Sequence, residues 1–284
     1  MPHGTRIARQ YNVAKLPDVL GKADELRTDY LMHHRIEDAM QKFDSSHEIG
    51  ARLPKLGERV LPAPLPVGEA LVDALLPTTI RRRKQDFLTR PENKNCLIRT
   101  YLGRRHTTKA QNRIQNLKLQ NFPLHVNEME QLGLDTAHFA SLMANNLAIV
   151  HCGAMVNGND VEFILGSSPA QIRRVPPEEA EVMTSRQMCD AIKFEFNHRA
   201  MAMWLIDFNQ TIKAASTSLP RLSIFNASYY PRQNQPDDLD KELWGIFRKA
   251  YLDMSHRVTE SSGPDTFIAR VEMERKEESI DNLF

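Results

Sequence analysis

The 284-residue chain contains little cysteine and no long hydrophobic run. Its three cysteines, Cys96, Cys152 and Cys189, are too few for a disulfide scaffold, and no two of them have the CxxC spacing of a zinc finger. No apolar stretch approaches the roughly 20 residues of a membrane span, and the first ten residues lack the apolar core of a signal peptide. We therefore expect a cytoplasmic protein without a membrane partner or a metal site.

The charge balance is even overall but uneven along the chain. The net charge is +1, yet twelve basic and only two acidic residues lie between Arg81 and Lys118, which gives that segment a charge of +10. Such a block attracts polyanions, and nucleic acid is the partner it favours; a solvated basic loop is the alternative. The candidate phosphate-binding residues are Arg81, Arg82, Arg83, Lys84, Arg99, Arg104, Arg105, Lys109 and Arg113.

Hydrophobic periodicity predicts a mixed α+β fold. The predicted helices cover residues 22–43, 71–76, 135–152, 239–254 and 266–276, and the predicted strands cover residues 11–16, 95–102, 161–165 and 201–206. Asp135 is placed to cap its helix, and Gly153 to end it. We expect irregular structure over residues 53–66, which hold four prolines, over the polar stretch 166–181, and over residues 209–236.

Three fragments resemble the skeleton of a protein-kinase-like fold: NVAK (12–15), CLIRTYLG (96–103), and LAIVHCGAMVNGNDVEFILG (147–166) with MWLIDFNQ (203–210). The resemblance implies a bilobal protein, with a small mixed N-terminal lobe over residues 1–103 and a larger, mainly helical C-terminal lobe over residues 104–284. In it, Lys15 would occupy the position of the phosphate-pairing lysine, with Glu25 or Glu37 as its ion-pair partner.

The departures from that pattern argue against an ordinary kinase. The glycine-rich loop before Lys15 is absent, and so is the HRD motif of the catalytic loop. The metal-binding DFG turn is replaced by Asp207, Phe208 and Asn209. Phosphoryl transfer needs the nucleotide cradle, the base and the metal ligands together, so we do not expect kinase activity.

A closer resemblance covers nearly the whole chain. The strings DYLMHHRIEDA (29–39), NKNCLIRTYLGRR (93–105), NFPLHVNEMEQLGLD (121–135), NDVEFILG (159–166), WLIDFNQ (204–210) and YYPRQ (229–233) are similar to a fungal family long labelled a domain of unknown function and often named a zinc-finger protein. The arginine-containing cyclodipeptide synthases of fungi resemble this family. The resemblance implies an enzyme that takes arginine from arginyl-tRNA and a second residue from another charged tRNA. It implies no cofactor and no obligate protein partner.

That activity assigns roles to particular side chains. An arginine guanidinium needs carboxylates, which Asp160, Glu162 and Asp207 supply; the same three carboxylates would also suit a divalent metal ion. Glu162 or His151 is the candidate base, although His151 also fits a packing role, and Asn209 could donate to an oxyanion or fix its turn. The remaining substrate-binding candidates are Lys15, Tyr229, Tyr230 and Arg232, where packing of the two tyrosines in the core is the alternative. Cys152, Ser167 and Ser168 lie near in sequence, but the residues do not single out a nucleophile.

Two other function classes stay open on the sequence alone. One is a kinase-like binding module without catalytic activity, which recognises a protein or an RNA. The other is an atypical small-molecule phosphotransferase that uses Lys15 and Asp207.

Overall fold

The computed structural model describes residues 20–43, 51–54, 60–105, 117–158, 161–168, 175–192, 200–208, 230–231 and 238–281. The predicted strand at 11–16 and nearly all of the predicted irregular stretch 209–236 lie outside these ranges. Within them the chain forms a small four-stranded sheet and many helices, so the α+β class is confirmed.

The elements follow one another in mixed order. The strands are β1 (Ile98–Tyr101), β2 (Phe122–His125), β3 (Glu162–Ser168) and β4 (Ala200–Ile206). The helices are α1 (Leu20–Phe43), α2 (Leu65–Leu75), α3 (Thr78–Arg81), α4 (Lys84–Leu88), α5 (Pro91–Lys94), α6 (Val126–Gln131), α7 (Thr136–Ala148), α8 (Pro177–Ala180), α9 (Ser185–Ile192), α10 (Asp238–Val258) and α11 (Gly263–Asp281).

The long helices form where apolar residues recur at helical spacing. Helix α7 begins as predicted, because the Asp135 carboxylate accepts the backbone N–H of His138 at 2.8 Å, a cap worth about 1 kcal/mol. The helix ends earlier than residue 152, since a π-helical turn over Ile149–Gly153 replaces its last turn. Helix α2 includes most of the helix predicted at 71–76 and begins in the last two residues of the stretch 53–66 that we expected to be irregular. Helix α8 lies inside the polar stretch 166–181, which we also expected to be irregular. Proline occupies the first helical turn of both helices.

The sheet has the strand order β2-β1-β3-β4. Strand β1 is parallel to β2, and β3 is antiparallel to both β1 and β4. Strands β1, β2 and β4 therefore run in the same direction, and their carboxyl ends lie at one end of the sheet. Strands β1, β3 and β4 confirm the predicted strands. Strand β2 was missed because it has only four residues and contains Pro123, which is typical of a strand at the edge of a sheet.

The sheet joins the two parts of the chain that the sequence separates at residues 103 and 104. Strand β1 comes from the first part, and it pairs with β2 and β3 from the second. One buried hydrophobic cluster likewise includes residues from both parts, among them Ile36, Leu71, Leu147 and Phe247.

The two faces of the sheet differ in what covers them. Because side chains alternate along a strand, Ile98, Leu165 and Met203 share one face, which belongs to the main hydrophobic cluster with α7 and α10. We call this the core face. The other face carries a smaller buried cluster of Leu97, Ile164, Trp204 and Ile206 under Val60. None of the described helices combines the length and the apolar character needed to cross a membrane.

Replacing Gly166 by alanine tests how tightly the second face is covered. A Cβ there would lie 2.7 Å from the Val60 side chain and 2.9 Å from the Leu61 carbonyl oxygen. Because the Leu61 backbone can move away from the new Cβ only at a cost in free energy, we expect Gly166→Ala to lower the free energy of unfolding by about 1–3 kcal/mol. Urea denaturation measures this difference. Gly245→Ala is the matched control: its Cβ meets nothing within 4 Å in exposed α10, so it gains up to about 1 kcal/mol. Equal stability of the two variants would contradict this packing.

Candidate functional site at the carboxyl end of the sheet

Asp207 follows strand β4 in an unusual backbone conformation. Its φ is 70°, in the left-handed region that few residues other than glycine adopt. The residue is buried, and the next residue, Phe208, is fully buried with its ring edge-on to His33 of α1, the ring centroids 5.5 Å apart. A buried acidic residue held in this conformation is typical of functional sites rather than of simple strand ends.

Asp29 of helix α1 faces this turn. Burial and the negative charge of Asp207 raise the pKa of Asp29 to about 6, and the backbone N–H of Phe208 donates to its carboxylate, which offsets part of that rise. Helix α1 therefore brings the acidic residue Asp29 to the turn. The predicted ion pair of Lys15 with Glu25 or Glu37 stays a prediction, because Lys15 and the Glu25 side chain lie outside the described residues; Glu37 lies 3.6 Å from His34.

Glu162 is brought to the same place by the register of the sheet. It is the first residue of β3 and lies opposite Ile206, the residue directly before Asp207. Its Oε1 lies 2.9 Å from a guanidinium nitrogen of Arg99 on β1, and both side chains are largely buried. The two predicted residues Glu162 and Asp207 therefore belong to one cluster.

Arg99 is not part of the exposed basic segment to which the sequence assigned it. Its guanidinium is used in the ion pair with Glu162, on the face of the sheet opposite the core face. A count of charges along the chain cannot distinguish a basic residue that pairs across a sheet from one that reaches solvent. Arg99 therefore belongs to the site itself.

A histidine that the sequence analysis did not single out ends strand β2. The ring Nδ1 of His125 lies 2.9 Å from Glu128 Oε2, and the same oxygen accepts the backbone N–H of His125 at 2.9 Å. The His125 ring stacks on Tyr101 of β1, with centroids 5.6 Å apart. The spacing H-x-x-E before a helix is that of a capping box, and it is the signal that could have identified this pair.

These side chains form a row across the carboxyl end of the sheet. Strand pairing places His125 beside Tyr101, and the same β1–β3 register continued by two residues places Tyr101 level with Glu162. Asp207 ends the row on β4, and Asp29 approaches it from α1. We call this set the carboxyl-end site; its members are Asp29, Arg99, Tyr101, His125, Glu128, Glu162 and Asp207.

His151 has a packing role. It is fully buried in the π-helical turn; its Nε2 accepts the backbone N–H of Gly158 at 3.2 Å, and its Nδ1 lies 3.0 Å from the Tyr251 hydroxyl. Burial lowers the pKa of His151 to about 3, so the ring stays neutral. The structure supports the packing alternative over a role as base.

The candidate nucleophiles are likewise buried. The Ser167 hydroxyl donates to the Pro62 carbonyl at 2.6 Å, and Ser168 is buried on the same strand. The Cys152 thiol lies 3.6 Å from the Ser255 hydroxyl, and burial raises its pKa. A thiol with a raised pKa carries less of the reactive thiolate. None of the three therefore fits a nucleophile at the carboxyl-end site.

Tyr230 lies in the core and not at the site. Its ring packs between Phe163 and Phe247, and it is 2% exposed, with burial raising the pKa of its hydroxyl. Its predicted substrate-binding role is thus replaced by packing. The other predicted residues that lie outside the described ranges are Lys15, Lys109, Arg113, Asp160, Asn209, Tyr229 and Arg232.

The basic segment does present an exposed cluster. Arg81, Arg82 and Arg83 are exposed at the end of α3 and in the two residues before α4, and Lys84 Nζ lies 2.7 Å from Asp73 Oδ2. We call these four residues the basic surface. Arg104 is also exposed, just beyond β1.

Arg105, in contrast, is held by two carboxylates. It donates to both oxygens of Glu130 at 2.8 and 3.0 Å and to both oxygens of Asp240 at 2.8 and 3.0 Å. These bonds raise the pKa of Arg105 and tie β1 to α6 and α10. Its predicted contact with phosphate is therefore replaced by an internal ion-pair network.

Comparison with known proteins gives one match. A family model of a domain of unknown function, described as "Zinc finger protein", matches residues 203–263, about a fifth of the chain. The match includes Asp207 and α10, and it is consistent with the fungal family that the sequence resembles. No curated protein and no solved structure matches the chain. Across the described residues, no group of three or more His, Cys, Asp or Glu side chains is arranged to hold a metal ion.

The pH dependence of stability tests the contact between Asp29 and Asp207. The pKa of Asp29 is about 6 in the folded protein and about 3.8 in the unfolded chain, so the folded state binds the extra proton between these values. Stability contributed by this proton is present below about pH 4 and is lost as the pH rises to about 6. Asp29→Asn keeps an acceptor for the Phe208 N–H without the charge.

We therefore expect Asp29→Asn to be more stable than the parent at pH 7.5, by up to about 3 kcal/mol, and equally stable near pH 4. Urea denaturation across this pH range measures both. A difference that is the same at both pH values would contradict the raised pKa of Asp29. Glu92→Gln, at an exposed carboxyl in α5, is the control for loss of one negative charge.

Proposed function

We propose that the protein is a tRNA-dependent cyclodipeptide synthase that joins arginine from arginyl-tRNA to a second aminoacyl group as a cyclic dipeptide. The observation that supports this most is the approach of two carboxylates, Asp29 and Asp207, at the carboxyl-end site. Two like charges destabilise each other at close range, and a bound cation relieves that repulsion.

An arginine guanidinium fits this pair of carboxylates well. It is planar, always charged and less strongly hydrated than an ammonium group, and it forms paired hydrogen bonds with carboxylates. A lysine would offer a compact point charge in its place. The left-handed conformation of Asp207 holds its carboxylate at a fixed position beyond the strand, which favours recognition of a cation with fixed geometry.

In this proposal Glu162 binds the attacking α-amine. It lies on the strand next to Asp207, and its ion pair with Arg99 fixes the orientation of its carboxylate. The second Glu162 oxygen is buried as well. A charged group held in this way is preorganised, so it adds little reorganisation cost when the amine attacks.

The reaction needs no ATP, because an aminoacyl ester is already activated. Ring closure requires the new peptide bond to become cis, which costs about 3 kcal/mol for a residue other than proline. Holding the reacting amine and the reacting ester carbonyl at one site provides the orientation that offsets this cost.

A kinase-like body is part of the proposal. Strand β4, which pairs antiparallel with β3, is followed by the Asp207–Phe208 turn, and α1 contacts that turn through Asp29 and His33. This is the arrangement that the resemblance to a kinase implies for the helix beside the metal-binding turn. The basic surface would bind tRNA, and we propose a cytoplasmic location, where charged tRNA is available.

A phosphotransferase is the second candidate, because facing carboxylates also suit a divalent cation. It predicts that ATP with magnesium raises the melting temperature of the protein. The synthase predicts no such rise.

Loss of the carboxylates should abolish the product. We expect cells that express the protein to accumulate a cyclic dipeptide containing arginine, detected by mass spectrometry of extracts. Glu162→Gln and Asp207→Asn should each lower its amount by at least about 100-fold, since each removes one charge from the reacting groups. Asparagine tolerates the left-handed conformation of position 207.

The control is Glu178→Gln, at an exposed carboxyl in α8, which should keep full product. A thermal melt of each variant checks that the fold is retained. A full yield from both Glu162→Gln and Asp207→Asn would contradict the proposed site. A soluble, folded parent protein that yields no new dipeptide would contradict the proposed activity.

Salt dependence tests the basic surface. Replacing Arg81, Arg82 and Arg83 by glutamine should weaken tRNA binding and reduce the slope of log K against log salt by about 2–3, because each phosphate contact contributes about 0.9. The matched control replaces Arg186, Arg257 and Arg270, which are exposed elsewhere, and should leave the slope unchanged. The same slope in both triple variants would show that the basic surface does not bind tRNA.

A further inference from the structure

An apolar cavity lies against the core face of the sheet. Its volume is about 350 Å³, and all the residues that line it are apolar. Each of the four strands contributes at least one of them: Leu124, Ile98, Leu165 and Met203. Helices α2 and α7 contribute others, among them Leu71 and Phe139. The cavity opens to solvent beside Pro66 and Ala70, which line it and are exposed.

The cavity is separate from the carboxyl-end site. Ile98 pairs with Leu165, and Leu165 pairs with Met203, so these three side chains share the core face. The register of β1 with β2 places Leu124 on that face as well. Glu162 is three residues from Leu165 on β3, so its side chain lies on the other face. A molecule in the cavity therefore does not displace a substrate held by Glu162.

The fold leaves this space without protein atoms. Protein interiors are packed as densely as organic crystals, with few spaces larger than a water molecule. Side chains that line an unfilled space lose the dispersion contacts that a packed core supplies. Water replaces those contacts poorly here, because an apolar lining offers it few hydrogen-bond partners. An apolar molecule that enters the cavity therefore gains contacts that water does not provide.

The dimensions of the cavity select an elongated molecule. Because all four strands line it, the cavity extends across three inter-strand spacings, about 14 Å. A volume of 350 Å³ over that length gives a mean cross-section of about 25 Å², which is close to that of one extended hydrocarbon chain. This cross-section is too small for a helix of a partner protein, which is about 10 Å in diameter, or for the paired chains of a membrane lipid.

The volume of the cavity sets the length of that chain. A cavity of about 150 Å³ lined by leucine, isoleucine and phenylalanine binds benzene, and this cavity has about twice that volume. We infer that it binds the hydrocarbon chain of a medium-chain fatty acid, with about ten to twelve carbons. The lining has no charged side chain, and an unpaired carboxylate is costly to bury. The carboxylate therefore stays in solvent beside Ala70.

A series of fatty acids tests this site. Isothermal titration calorimetry of the purified protein, with saturated fatty acids of six to fourteen carbons, measures their affinities. We expect one molecule bound per chain and an affinity that rises about fourfold for each added CH₂ group. The rise should stop at about ten to twelve carbons, because further carbons extend into solvent.

Three variants test the location of the site. Ala70→Phe places a ring at the mouth of the cavity and should weaken decanoate binding by at least about 10-fold, since each CH₂ group that is displaced loses about fourfold. Ala74→Phe is the matched control: it changes an exposed alanine one turn further along α2 that does not line the cavity, and it should bind as the parent does. Phe139→Ala enlarges the cavity and should move the limit of the series to longer chains.

The results separate this site from the proposed function. A folded parent that does not bind decanoate overturns the inference, and so does equal binding by Ala70→Phe and Ala74→Phe. An affinity that keeps rising through fourteen carbons also overturns it, because that indicates adsorption to the surface. If a thermal melt shows that Ala70→Phe does not fold, an unchanged chain-length limit in Phe139→Ala overturns the inference. None of these measurements uses charged tRNA, so a negative result leaves the proposed function standing.

Discussion

The pairing of β3 with β4 is the constraint on which the site depends. Seven residue pairs, from Glu162 with Ile206 to Ser168 with Ala200, set the register of these strands. A slip of one residue would turn Glu162 to the core face and move it away from Asp207. The segment before α2 holds the register from one side, because the Ser167 N–H and hydroxyl donate to the carbonyls of Leu61 and Pro62 at 2.9 and 2.6 Å.

The carboxyl-end site is electrostatically costly for the folded protein. The burial of Asp29 beside Asp207 opposes ionisation of Asp29, and the left-handed backbone of Asp207 adds to this cost. The packing of His33 on Phe208 and of Ile36 and Met40 in the core holds α1 in place against that repulsion. Proteins keep such unfavourable arrangements mainly where function requires them, which is why a cationic substrate is a physical explanation for this pair.

The sequence predicted the elements whose hydrophobic pattern is long and regular. Helices α1, α7 and α10 and strands β3 and β4 fall where periodicity placed them. Strand β2 was missed, because four residues with Pro123 carry too short a pattern. Asp29 was missed because one polar residue on a long helix does not reveal what it faces.

Charge was the least reliable guide to the site. Arg99 and Arg105 lie in a basic segment, yet each is paired with carboxylates distant in sequence, Glu162 in one case and Glu130 and Asp240 in the other. Only tertiary structure shows those partners. Glu162 and Asp207 were predicted together because the resemblance to a kinase-like fold implies that the two strands beside them are paired.

The most direct test of the central claim uses purified protein and tRNA charged with isotopically labelled arginine. The account predicts that the label leaves the tRNA and appears in a cyclic dipeptide, and that ribonuclease treatment of the tRNA beforehand prevents this. Labelled arginine that stays on the tRNA, with folded protein present in excess and a second charged tRNA supplied, would contradict it.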